Sequence, residues 1–337
     1  MFEKPYLVDI DTTVFSATEQ LAREIGVIAT LAEANGSRLI LCASVESPPT
    51  IATDSILQDR ILAVRKENAY GMLRELASAI DVNEPPELLI AVGKPFVTIS
   101  RLVVEHDVGV VVSFAPDGLG HPVNSRLMHL VRKCPAAVWL WRDPAQTRVP
   151  VDPLHIAVPI DRDIFAGSAV SGDMAERLLN AALLAAAGAP ARITLLHAWR
   201  PYGIDVLGEA GDALEPAALQ DYIDGQAYAH AVWLEERARY LDDLIAASGR
   251  ATTTACAAEL LAGKPGDSVP AWLDANDVDL LVLGTTGTGA VPGQLIGDTA
   301  ETILLRSRMP VLSVKPADFR SPVITPAAST PTTVSVA

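Results

Sequence analysis

Two aspartates and one glycine-rich stretch carry the strongest chemical signal in the chain. Asp161 ends the apolar run Ile156-Ala157-Val158-Pro159-Ile160, and Gly284-Thr285-Thr286-Gly287 follows the run Asp279-Leu280-Leu281-Val282-Leu283. Nine residues separate Gly287 from Gly297, after which Asp298-Thr299-Ala300-Glu301 opens a helical pattern that continues through Ile303 and Leu304. Glycines in such a loop let the backbone take positive φ and bring several N–H groups close to an anion. A helix start adds unpaired donors and the positive end of its dipole. The chemistry these residues could do is to cradle a phosphate. On spacing alone the bland alternative, glycines serving only as turn residues, stays open. No Gly-Lys-Ser/Thr follows and the pattern is not GxGxxG, so neither a Walker A loop nor the usual dinucleotide fingerprint is present.

Asp298 has two readings. A carboxylate at a helix start can cap N–H groups and meet the dipole favourably, which is the preferred reading; inside a cradle, the same charge repels phosphate. Thr299 could supply a hydroxyl one residue later, turned by about 100° around a helix of roughly 3.6 residues per turn.

Other residue types point away from catalysis. The histidines His106, His121, His129, His155, His197 and His230 form neither HExxH nor an i, i+4 pair, and there is no GxSxG elbow. Cys42, Cys134 and Cys256 lie far apart without metal-ligand spacing, so they are expected to be reduced core residues. No metal site and no catalytic residue is expected. Trp139 and Trp141 alternate on one strand and face one side, a pattern expected of packing.

The elements that must position these residues occur twice. Tyr6-Leu7-Val8-Asp9-Ile10-Asp11 matches the strand ending at Asp161; Val92-Gly93-Lys94-Pro95 matches Ala262-Gly263-Lys264-Pro265; and Cys134-Pro135-Ala136-Ala137-Val138 matches Met309-Pro310-Val311-Leu312-Ser313. The offset grows from 150 to 170 and then 175, which places two insertions in the second copy, the later one in the glycine-rich loop. Between landmarks, short apolar runs alternate with helical periodicity, as in Leu21, Ile25 and Ile28 after a capping-box spacing Ser16-Ala17-Thr18-Glu19. Five such strands per copy, interleaved with helices, imply an α/β fold with a mainly parallel sheet covered on both faces. The first copy lacks the glycine array, having Ser113 to Pro122 in its place, and its Asp11 reads as a turn or cap residue. It is expected to be structural.

With 41 acidic against 26 basic residues and a net charge of −15, the chain repels nucleic-acid phosphates and anionic headgroups. Nucleic acid is not an expected partner. The most apolar stretch, Leu178 to Ala191, is interrupted by Asn180, Gly188 and Pro190 and is too weakly apolar to span a bilayer. The start, Met1 to Asp11, lacks the charged and apolar regions of a signal peptide, and a cytoplasmic location is expected. The expected division is a first domain over 1–144, a second over 152–316 and a disordered Pro/Thr/Ser/Ala tail over 317–337.

Taken together, the Asp-terminated first strand, the G-x-P turn, the G-x-x-G, nine, G loop and the closing C/M-P-apolar strand resemble the universal stress protein family, over residues 5 to about 315. The tandem order with a degenerate first copy resembles its universal stress protein E-like branch. The resemblance implies two tandem Rossmann-like (HUP-type) domains, each five-stranded, and a stress-response ligand-binding or scaffolding protein with an adenine-nucleotide (ATP) site in the second domain. Carried over, Asp161 would contact the base and Gly284, Gly287 and Gly297 the phosphates, with Thr285 and Thr299 alongside. Asp298 departs from the family's Ser or Thr. Two other functions stay open: a slow ATPase or adenylate-handling enzyme, and a binder of an apolar or lipid-like ligand under a lid from Pro201 to Asp221. Expected partners are a small molecule in the second domain, the two domains paired like a dimer within one chain, and a second copy of the chain as a homodimer.

Overall fold

The computed structural model describes residues 4–12, 18–48, 55–115, 125–142, 153–162, 169–187, 189–203, 215–249, 253–285 and 296–324. The first half runs β1 (Tyr6–Ile10), α1 (Glu19–Ala34), β2 (Leu39–Val45), α2 (Ser55–Ala79), β3 (Glu87–Val92), α3 (Pro95–Glu105), β4 (Val110–Phe114), α4 (Ser125–Lys133) and β5 (Ala137–Trp141). The second runs β6 (Leu154–Pro159), α5 (Ala169–Ala185), β7 (Ala191–Trp199), α6 (Pro216–Ala247), β8 (Thr254–Ala262), α7 (Pro265–Ala275), β9 (Leu280–Gly284), α8 (Asp298–Arg306) and β10 (Val311–Val314). The chain divides into two compact units, one of residues 1–148 with 310–337, the other of residues 149–309.

In the first unit the strand order is β3-β2-β1-β4-β5, all parallel, and β1 is buried along its whole length. Parallel strands covered on both faces are apolar throughout rather than alternating, which is why Leu39-Ile-Leu-Cys-Ala-Ser-Val45 reads as a continuous run. In the second unit the order β8-β7-β6-β9 is again parallel and repeats the order β3-β2-β1-β4.

The last strand, placed by the sequence pattern at the close of the second copy, pairs antiparallel with β5 in the first unit. Leu312 lies opposite Trp139, and the Ser313 hydroxyl donates to the Val138 carbonyl at 3.1 Å. Covering β5 this way satisfies an edge whose residues are buried on both faces. Trp139 and Trp141 pack on one another at 5.5 Å between ring centres. Just beyond β10, Lys315 is wholly buried, donating to the Arg132 carbonyl at 3.2 Å and lying 4.3 Å from the Phe319 ring.

Local signals explain several element ends. Thr18 caps α1, its hydroxyl accepting from the Leu21 N–H at 3.2 Å; Ser16, the first residue of the expected capping box, lies outside the described residues. The two Gly-Lys-Pro turns have the same geometry. Gly93 and Gly263 take φ of 134° and 129°, and their N–H groups donate to Val45 and Trp199 carbonyls at 2.9 and 2.8 Å. That backbone is closed to side-chain-bearing residues without strain, which is the physical reason for glycine at both turns.

Candidate functional site

In an open parallel sheet the ligand crevice lies beyond the carboxyl ends of the strands where the winding reverses. In the second unit that point falls between β6 and β9, which pair through Ile156 with Leu280 and Ala157 with Leu281. The residues after both strands are those the sequence singles out.

β6 is prolonged by one more bond, from the Ile160 N–H to the Leu196 carbonyl at 2.8 Å, so Asp161 emerges at the rim of the sheet and is exposed. On the other side, β9 ends at Gly284 and Thr285 is fully buried. The Gly297 N–H donates to the Thr285 carbonyl at 2.8 Å, tying the start of α8 to the end of β9. Thr286 and Gly287, with the rest of the loop to residue 295, lie outside the described residues. Gly297 is the residue preceding α8 and has no side chain with which to cap it. Asp298 and Thr299 are both exposed in the first turn, where Asp298 and Glu301 place negative charge at the positive end of the helix dipole.

Gly284 has a packing reason of its own. A Cβ there would stand 2.9 Å from the Met174 methyl and 3.6 Å from Leu178 of α5, so a glycine lets α5 settle onto the end of β9.

A cluster that sequence reasoning passed over adjoins Asp161. His197 on β7 is buried, and its Nδ1 faces the Ile160 carbonyl at 3.1 Å while its Nε2 faces Nδ1 of His230 on α6 at 2.8 Å. The His230 ring stacks on Trp199 with centres 5.2 Å apart, and Trp233 lies 4.6 Å from the His197 ring. Burial holds both imidazoles below the usual histidine range, opposed by the charge of Asp161. His230 is missed because its partner is 33 residues away on another element. The signal that was present is helical spacing, since His230 continues the buried face of Leu234, Leu241 and Ile245.

The first unit fills the corresponding place with protein. Arg126 of α4 spans Asp9 and Asp11, with Nη2 2.7 Å from each Asp9 oxygen and Nη1 2.5 Å from Asp11 Oδ2. Asp9 also accepts from the Ser113 and Ser44 hydroxyls at 3.1 and 3.4 Å. By the matched Cys134-Pro135 and Met309-Pro310 landmarks, Arg126 answers to Glu301, which has no cation to bring toward Asp161.

Among the described residues no group of three or more His, Cys, Asp or Glu side chains could hold a metal, and no helix is long and apolar enough to cross a membrane. Of the 11 residues Pro201 to Gly211 at the start of the expected lid, only Pro201, Tyr202 and Gly203 are described; Tyr202 is exposed and its carbonyl accepts from the Tyr222 hydroxyl at 3.0 Å.

The fold and its rim define a doubly wound α/β protein of the kind that holds ligands at the ends of its parallel strands. Residues 154–315 match the model of the universal stress protein family. Over the longer span, the chain is 22% identical to "Universal stress protein E" of Salmonella typhi across 285 residues, covering 81% of this chain and 80% of that protein. A universal stress protein from Archaeoglobus fulgidus DSM 4304 superposes with a TM-score of 0.56 at 14% identity, covering 93% of this chain and 97% of its own. A protein from Pseudomonas aeruginosa UCBPP-PA14 does so with a TM-score of 0.57 at 18% identity, covering 94% and 95%. At these identities the superpositions speak to the fold.

Proposed function

We propose that the second unit is the ligand-binding part of a stress-response protein and takes an adenine nucleotide, ATP, at the ends of β6 and β9. In this reading Asp161 meets the base, and Gly284, Thr285, Gly287, Gly297 and Thr299 line the phosphate side, with Asp298 weakening the hold on a triphosphate. The observation that carries it is the Gly297 to Thr285 bond, which holds the start of α8, preceded by a glycine with no side chain, one hydrogen bond from the end of β9. The first unit supports the second as a scaffold, since Arg126 already occupies its aspartates.

Calorimetric titration with ATP of the native chain and of Asp298→Ser tests this. Two unit charges about 4 Å apart interact by roughly 4 kcal/mol at an effective dielectric of about 20, before solvent screening reduces it. A favourable charge at a helix start is worth about 0.3–1 kcal/mol. Repulsion therefore outweighs the lost dipole contact, and the variant should bind ATP more tightly than the native chain by about tenfold or more, a difference of 1.4 kcal/mol. Binding by neither protein sinks the nucleotide reading. Equal binding by both removes Asp298 from the cradle.

A further inference from the structure

α2 is apolar along two different lines. Its second half packs inward through Ala69, Leu73 and Leu76, all buried. Toward the start of the helix that line continues through Lys66, Leu62 and Gln58, which are half-buried, and no residue from Ile56 to Asn68 is fully buried. Leu57, Ile61 and Val64 form a second line at i, i+4 and i+7, and are 54%, 48% and 55% exposed. At 3.6 residues per turn the two lines lie roughly 120° apart around the helix, so the outer one is no frayed extension of the core face. Among the described residues of the first unit six large apolar side chains are exposed, and four of them fall between Ile56 and Val64. Single exposed apolar residues are ordinary, whereas a line of them on one helix face marks a surface for association.

The residues flanking the outer line decide what it fits. Arg60 and Glu67 border it on one side, Gln58 and Arg65 on the other. When two copies of such a helix pair in parallel, opposite flanks meet, which sets Arg60 against Arg65 of the second copy. When they pair antiparallel, like flanks meet. Arg60 then faces Glu67 of the second copy, twice by symmetry, Gln58 faces Arg65, and Ile61 lies opposite Val64 at the centre.

We propose that α2 is the interface of a homodimer in which two copies of the chain pair antiparallel along Leu57, Ile61 and Val64, with Arg60 and Glu67 closing one flank. The occupant is a second copy because the flanking charges complement themselves about a twofold axis and repel in the parallel arrangement. The 13-residue stretch from Ile56 to Asn68 is marginal as a helix without fully buried residues, and covering its outer line supplies burial that the core does not. Three apolar side chains per copy make a small contact, of the kind found in weak and transient pairs. The inference is independent of the nucleotide reading.

Sedimentation velocity of the full chain from about 1 μM to about 500 μM tests this, since small contacts hold in the micromolar range. The native chain should pass from monomer to dimer as concentration rises. Ile61→Asp places a charge at the centre of the line and should weaken the dimer by about tenfold or more, with the urea midpoint of the dilute monomer unchanged. Arg60→Glu should weaken it severalfold by setting two carboxylates together, and Arg60→Glu combined with Glu67→Arg should restore the native affinity. Neither residue has a charged neighbour three or four positions away, so the exchange leaves the helix's own ion pairs untouched. A native chain that stays monomeric at every concentration overturns the proposal and leaves the outer line to a different partner. A dimer that survives Ile61→Asp forms through another face and overturns it equally. A double exchange that binds no tighter than Arg60→Glu alone overturns the antiparallel pairing.

Discussion

Arg126 and Asp9 form an ion pair in the first unit, one guanidinium nitrogen, Nη2, lying 2.7 Å from both carboxylate oxygens of a side chain only 1% exposed. Such a pair is costly to break by halves. Burial pushes the Asp9 carboxyl above its ordinary value even with Arg126 opposing, so an unpaired Asp9 would be strongly disfavoured as an anion.

Arg126→Leu should therefore destabilise the first unit by about 3–5 kcal/mol at neutral pH, measured by urea unfolding. Because the folded-state pKa of Asp9 is raised, the favourable contribution is that of the protonated acid, present at low pH and lost as pH rises through the folded value. The penalty in the variant should accordingly shrink on acidification, and a second change, Asp9→Asn, should recover much of it at pH 7. A variant as stable as the native chain at pH 7 would mean that the pair does not hold the unit together.

Lys315 gives the opposite pH signature to a salt-bridged lysine. Burial lowers its pKa from 10.5 to about 7. Above pH 7 the folded chain holds a neutral amine while the unfolded chain still binds a proton, so stability rises with pH between about 7 and 10. The whole shift corresponds to a few kcal/mol at most, since each unit is about 1.4 kcal/mol. Lys315→Met should raise the melting temperature at pH 6 and flatten the rise from pH 7 to pH 9. Parallel melting profiles for the two proteins would place the amine in water.

Gly93 and Gly263 should respond alike to alanine. Each sits at a φ that costs a side-chain-bearing residue about 1–3 kcal/mol, and at Gly93 a Cβ also meets the Thr98 methyl at 3.0 Å. The loss should be larger for Gly93→Ala than for Gly263→Ala, where the nearest atom is 3.5 Å away. Denaturation midpoints of the two variants decide this, and a neutral Gly93→Ala would contradict the shared turn geometry.

These three cases mark how far the sequence could be read. The Gly-Lys-Pro turns were legible because backbone conformation restricts a single residue type, and the parallel strands because burial on both faces makes whole runs apolar. The places of Asp161 and Gly284 were legible because strand ends leave their mark in the pattern, and that of Gly297 because a helical pattern opens right after it. What was not legible depends on pairing between distant elements. Arg126 looks like an ordinary residue of a short helix until β1 places Asp9 and Asp11 beneath it, and His230 looks like a solvated residue of a long helix until β7 brings His197 to it. The pairing of β10 with β5 is of the same kind, since an apolar tetrapeptide does not say which edge it will cover.

Between the units the central contrast is that Arg126 occupies the aspartates of the first, whereas Asp161 of the second stands exposed beside His197 and His230. The most direct measurement is a nuclear magnetic resonance titration of the intact methyl-labelled chain with ATP, following methyls of both units. The account predicts shifts at Ile160, Leu196 and Ile296 in the second unit, with Ile10, Leu41 and Val112 in the first unit unmoved. Shifts centred on Ile10 and Val112, with Ile160 and Ile296 unmoved at saturating ATP, would contradict it.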